Sequence, residues 1–228
     1  MAAPRLSRRE ILQLAGLAGA APTAAAAAEQ RPARAARPAR EALQALTSTE
    51  ADLLDVIAER LIPSDGTGPG ATEAMAVRYI DRALAGALRE SREAYRVGLT
   101  ALDRYARATR GRPFLQLSAS DQNSVLIDVE TGSATGANVG FEGSSAAFFA
   151  LVRGHVFQGT FGDPYYGGNA NFVGWDLLGY PGVRTVVTPA EQRLESPPTK
   201  VRRSAYETPM FNKAVVDARL PGSDRDAD

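Results

Sequence analysis

The chain has no cysteine and a single histidine, His155, in 228 residues. Without thiols there are no disulfides, thiolate zinc sites, cysteine-ligated iron–sulfur clusters, covalent c-type haem or thiol nucleophiles. One imidazole also excludes a multi-histidine metal site and a two-histidine haem. An excess of one charge is missing too: 26 Lys and Arg balance 26 Asp and Glu, which leaves no field to gather nucleic acid or anionic lipid. Beyond the N-terminus, no apolar run approaches the roughly 20 residues a bilayer span requires. No segment alternates apolar and polar residues over strand length between turn signals, so the expected fold class is all-α.

What is present begins with Ser7-Arg8-Arg9-Glu10-Ile11-Leu12, the pattern of a twin-arginine export signal, a receptor-read address. Arg5, Arg8 and Arg9 form a basic start before a weakly apolar stretch, and Ala26-Ala27-Ala28 ahead of Glu29 supply the small residues of a cleavage site. Residues 1–28 are therefore expected to be a signal peptide and the product to be periplasmic. The route accepts folded cargo, often assembled around a cofactor, yet the remaining ~200 residues suit one domain with a single core and offer no cofactor site. Residues 29–46 carry Arg31, Arg34, Arg37 and Arg40 interspersed with Pro32, Pro38 and several alanines without an apolar period, and are expected to form a flexible basic linker.

Order is expected from Thr47, which with Glu50 has capping-box spacing ahead of Leu53, Leu54, Ile57 and Leu61 on one face, up to Pro63. A second helix should carry Val77, Ile80, Leu84 and Leu88, and a third, from about Ser91 to Thr109, Tyr95, Leu99, Leu102 and Ala106. Ser118 and Asp121 open a fourth with Val125, Leu126 and Val129. A fifth, about Ser145 to Thr160, holds Phe148, Phe149, Val152, Val156 and Phe157 and is apolar enough to expect burial on more than one side. These elements predict a bundle of about five helices over 47–182, with a glycine- and aromatic-rich loop and an extended C-terminal tail.

Candidate chemistry is sparse. Gly66-Thr67-Gly68-Pro69-Gly70-Ala71 spells a dinucleotide fingerprint, but it follows a helical period rather than a strand, and Pro69 removes an amide that phosphate would use. His155, on the apolar fifth helix, reads as a core or interface histidine, because no G-x-S-x-G elbow or cysteine is there for it to activate. Residues 161–182 differ from the rest: six of the sixteen aromatics, six glycines and two prolines lie within them. Rings on a stiffly turned loop suit a cap over the bundle or a partner-binding surface, with Phe161, Asp163, Pro164, Tyr165, Tyr166, Asn169, Trp175 and Tyr180 as the candidate partner-binding residues. Asp163, Asn169, Asn171 and Asp176 could offer oxygen ligands to calcium, although their spacing fits no EF-hand loop and Asx turns account for them. An alternative reading is a free-standing periplasmic metal-binding protein or enzyme that uses Asp163, His155 and Asp176.

Gly162-Asp163-Pro164-Tyr165-Tyr166-Gly167-Gly168-Asn169, followed by Gly174-Trp175-Asp176-Leu177-Leu178-Gly179-Tyr180-Pro181-Gly182, resembles the signature of the gluconate 2-dehydrogenase subunit 3 family. The likeness extends more loosely to the capped first helix ending in Leu61-Ile62-Pro63 and to Gly70-Ala71 leading to Tyr79-Ile80-Asp81. The resemblance implies a non-catalytic accessory subunit of a periplasmic, membrane-associated dehydrogenase oxidising sugars, sugar acids or polyols. It implies FAD in a large partner subunit, haem c in a multihaem cytochrome third subunit, and no cofactor, metal or catalytic residue in this chain. It further implies that the small subunit aids the flavin subunit's maturation and lends it the Arg8-Arg9 signal for the twin-arginine translocase, the membrane being reached only through partners. The tail, 183–228, is polar and proline-broken, with Arg202-Arg203 and a short helical pattern of Phe211, Val215 and Leu220 after Pro209. Alone it cannot form a core, so it is expected to be disordered or to wrap around a larger subunit.

Overall fold

A computed structural model describes residues 41–66, 68–136, 139–141, 143–193, 195 and 198–211. The signal at Arg8 and Arg9, the linker up to Arg40 and the helical pattern at Val215 and Leu220 lie outside the described residues. Within them the protein is all-helical: α1 Ser48–Leu61, α2 Ala76–Ala85, α3 Arg92–Arg110, α4 Ala119–Glu130, α5 Ser145–Phe161 and a short α6 Val173–Leu177, joined by 3-10 turns. The one β feature among the described residues is an isolated bridge between Asp65 and Gly68.

Local chemistry explains the starts. Thr47 and Glu50 close the anticipated capping box on α1, satisfying two amides the helix leaves unpaired. Ser118 and Ser144 accept from the amides of Asp121 and Ala147 at the heads of α4 and α5. Helix α2 stops at Ala85, short of the expected Leu88, because the amides of Gly86 and Leu88 both turn back to the Ala83 carbonyl. Leu88 still packs against the core from the following turn.

Helix α5 is the element around which the others gather, packing on α2, α4 and α3. Its buried positions include Phe148, Phe149, Val152, Val156 and Thr160, a single wide stripe at spacings of three and four, while Phe157 is 45% exposed. Burial on more than one side is thus corrected: one face meets the bundle and Phe157 looks out. Leu54, Ile57, Ile80, Leu84, Leu99, Leu102, Val125 and Val129 complete the interior.

The expectation of a linker up to residue 46 is corrected as well. Ala45 and Leu46 belong to the core, and the amides of Gln44, Ala45 and Leu46 all donate to the buried Asp81 carboxylate at 2.8–2.9 Å. Three donors on one carboxylate satisfy a charge that would otherwise be costly to bury. Just ahead, Glu41 bridges Arg78 and Arg82, whose guanidinium groups, Arg78 foremost, hold its carboxyl below the usual range.

Candidate functional site

The glycine- and aromatic-rich segment caps the C-terminal end of α5 by backbone-to-backbone approach. A methyl group on Gly168 would sit 2.0 Å from the Gly159 carbonyl oxygen, and one on Gly174 would sit 1.9 Å from that of Thr160. Any side chain there would push the loop off the helix. Between the two glycines, Asn169 is fully buried and supplies both halves of its amide. Its backbone N–H donates to Gly159 O at 2.7 Å, its side-chain amide donates to Gly162 O, and its side-chain oxygen accepts from Gly174 N, both at 2.8 Å. Asn169, Asn171 and Phe172 all take left-handed backbone angles, a conformation that Asn tolerates and that is rare for a bulky residue such as Phe. The Phe172 ring is retained by packing 5.2 Å from Trp175.

Trp175 is the buried keystone. Its indole N–H donates to Phe161 O at 3.0 Å, and Tyr180 meets its ring edge-on at 5.0 Å. Asn169 and Trp175 therefore act inside the loop and set its shape, whereas other aromatic candidates look outward: Tyr165 is 60% exposed, with Tyr166 and Tyr180 also open. Phe161 is half-buried, 6.1 Å from Phe157. Pro164 opens the 3-10 turn Pro164–Tyr166, capped by Asp163. Six glycines and two prolines do preclude a long helix, but one short helix, α6, forms inside the segment.

The tail returns to this loop. Asp163 Oδ1 accepts from Tyr165 N at 2.9 Å and from Ser204 Oγ at 2.6 Å, and Oδ2 accepts from Ala205 N at 2.7 Å. One carboxylate thus holds the starts of two 3-10 turns, Pro164–Tyr166 and Ala205–Glu207. Val201 N donates to Pro181 O at 2.7 Å. Lys200 and Arg202 pair with Asp176 at 2.9 and 2.6 Å, so Asp176, hydrogen-bonded first to Lys200, ionises below the ordinary aspartate range. The Tyr206 ring lies 4.3 Å from that of Tyr165, and its hydroxyl hydrogen-bonds that of Tyr166, an arrangement that pushes the Tyr166 phenol up to about 12. Upstream, Arg184 reaches Glu191 and the Thr199 carbonyl. Residues 198–208 are consequently laid on the chain's own loop. Sequence reading missed Lys200, Ser204 and Tyr206, because a serine, a lysine and a tyrosine in a polar tail carry no local mark of a partner some 25–40 residues away.

The other candidates separate. His155 is buried, stacks on Tyr95 and shares a 2.9 Å hydrogen bond with its hydroxyl. Burial lowers the imidazole's pKa and raises that of the Tyr95 phenol. Asp163 and Asp176 are committed to the tail. Among the described residues no group of three or more His, Asp or Glu side chains could hold a metal ion, and no helix is long and apolar enough to cross a membrane. A cavity of about 260 Å³ lies between α1, α2 and residues 41–44, lined by Leu43, Met75 and Val77 alongside Asp52, Asp55 and Arg78.

Comparison with known proteins agrees with the signature. The family model described as gluconate 2-dehydrogenase subunit 3 matches residues 48–182, more than half of the chain, from the first residue of α1 to the last glycine of the loop. No curated protein and no solved structure matches.

Proposed function

Because the chain belongs to the gluconate 2-dehydrogenase subunit 3 family, we propose that it is the non-catalytic accessory subunit of a periplasmic flavin-dependent dehydrogenase complex acting on sugars, sugar acids or polyols. In this reading the catalytic FAD sits in a large partner subunit and a multihaem cytochrome c subunit takes the electrons. This chain stabilises the flavin subunit and shares with it the Arg8-Arg9 export signal.

The observation that carries the proposal is the division of labour in the signature loop. Its conformation is fixed from beneath by Asn169, Trp175 and the glycine approaches, while Tyr165, Tyr166 and Tyr180 are left exposed. Rigid, outward aromatic side chains lose little entropy on docking and make strong anchors. His155, Asp163 and Asp176 give the alternative metal or enzyme reading little support, since each is already paired with a different group.

Co-expression with the flavin subunit tests both halves. The tagged chain should bring down a yellow, FAD-containing partner, and replacing Tyr165 and Tyr180 together by Asp should cut recovery at least about ten-fold, the loss of two anchor residues. Replacing Arg8 and Arg9 by Lys should hold both polypeptides in the cytoplasm. Dye-linked dehydrogenase activity in the isolated chain would overturn the proposal.

A further inference from the structure

Residues 198–208 lie beyond the family match yet occupy the most distinctive surface within it. They are attached by two ion pairs to Asp176, two hydrogen bonds to Asp163, one from Arg184 to the Thr199 carbonyl, one backbone bond to Pro181, the approach of the Val201 carbonyl to Gly182, and the ring and hydroxyl contacts of Tyr206 with Tyr165 and Tyr166. Ser204 is the one buried residue of the segment, and no side chain from it enters the core. The Lys200 and Arg202 side chains stay 48% and 58% exposed although paired. Exposed ion pairs are weak and are screened by salt, so such a segment can leave without disturbing the helices.

We infer that the loop face formed by Asp163, Tyr165, Tyr166, Asp176 and Pro181 is a peptide-docking site, and that residues 198–208 are its built-in, releasable ligand. The segment itself defines the chemistry the site takes. Two basic residues two positions apart meet Asp176. A serine two positions further on, with the amide that follows it, meets both oxygens of Asp163. A tyrosine two positions beyond that serine closes against Tyr165 and Tyr166. The chain between the basic residues is neither helix nor turn and spends the Val201 amide on the Pro181 carbonyl. A segment with the pattern basic-x-basic-x-Ser-x-Tyr that ends in a serine-capped 3-10 turn is therefore the occupant. The covalently attached copy holds the site by effective concentration rather than by depth of burial. This property belongs to the chain alone and does not depend on a flavin subunit.

The test uses the full chain and a fluorescein-labelled peptide of residues 199–208. Replacing Lys200, Arg202 and Tyr206 by Ala in the full chain weakens the tethered copy and should vacate the site, so the peptide should bind that variant at least about ten-fold more tightly than it binds wild type, by mass action. Adding Asp176→Asn, or 0.5 M salt, should weaken that binding about five-fold or more. Equal binding to wild type and variant, or binding indifferent to Asp176, overturns the inference. Hydrogen exchange on the unaltered chain provides a second arm that depends on no variant's folding. The amides of Val201 and Ala205 should exchange at least about 100-fold faster than those of α5, the mark of local opening, and faster still in salt. Exchange as slow as that of α5 would make the segment a fixed part of the fold and end the proposal, whatever the outcome with the flavin subunit.

Discussion

The helical body and the loop with its returning tail are built on opposite economies. From α1 to α5 the interior is aliphatic and aromatic, with few buried polar groups, among them His155 hydrogen-bonded to Tyr95 and Asp81 accepting from three amides. From residue 161 onward the contacts are hydrogen bonds, ion pairs, the ring packing around Trp175 and Tyr206, and backbone approaches too close for a Cβ. A core of that kind accepts exchanges that keep volume and pattern. A loop of that kind accepts almost none, since Gly168, Asn169 and Gly174 each meet a requirement no other side chain meets.

The contrast can be broken or sharpened by substitution. The largest effect is expected in the body: Leu102→Ala, at a fully buried position, should cost about 2–5 kcal/mol and lower the unfolding midpoint for every probe alike. Asn169→Ala should cost about 2–3 kcal/mol, because it strands the Gly174 amide and the Gly162 carbonyl. Trp175 is the single tryptophan, so its fluorescence reports the loop while far-UV circular dichroism reports the helices. In Asn169→Ala the fluorescence change should come at lower denaturant, and coincident transitions would show that the two regions melt as one.

A smaller effect concerns pH. His155 has a folded pKa below its ordinary value near 6.5, so the unfolded chain binds the extra proton and stability should decline as pH falls below about 6.5 towards the lowered value. His155→Gln should flatten that slope in urea titrations between pH 5 and 7; an unchanged slope would place its origin elsewhere. The smallest effect is expected at the tail. Asp176→Asn should cost less than about 1 kcal/mol and leave the helices untouched. In wild type the carboxylate pKa is depressed; its contribution is therefore complete above the ordinary aspartate value near 3.9 and lost as pH falls through the lowered one, which proteolysis at the tail would register.

The same contrast explains what the sequence reveals. The five long helices are legible because a body stabilised by burial must write its periodicity into the chain, as Leu53, Leu54 and Ile57 do after the Thr47 cap. The loop is legible as a string, because its geometry demands particular residues at particular positions. Its internal roles are less so: Asn169 and Trp175 look like docking residues until their polar atoms are seen to be spent indoors, and α6 is too short to show a period. The attachment of Ser204 and Tyr206 is not legible, since a long-range hydrogen bond leaves no mark on the residues between its ends. The pinning of Gln44, Ala45 and Leu46 is hidden for the same reason, Asp81 reading simply as one more polar position on α2.

That pinning has a mechanical side. A pull applied to the chain ahead of residue 41 would first strain the Glu41 bridges to Arg78 and Arg82, then reach the Asp81 carboxylate, where three amides bear the load side by side. Bonds arranged in parallel must fail together, unlike the turns of a helix, which peel off one after another. Asp81 is thus a mooring post, and tension on the N-terminal lead would be stopped at the edge of the bundle before it could unwind α1.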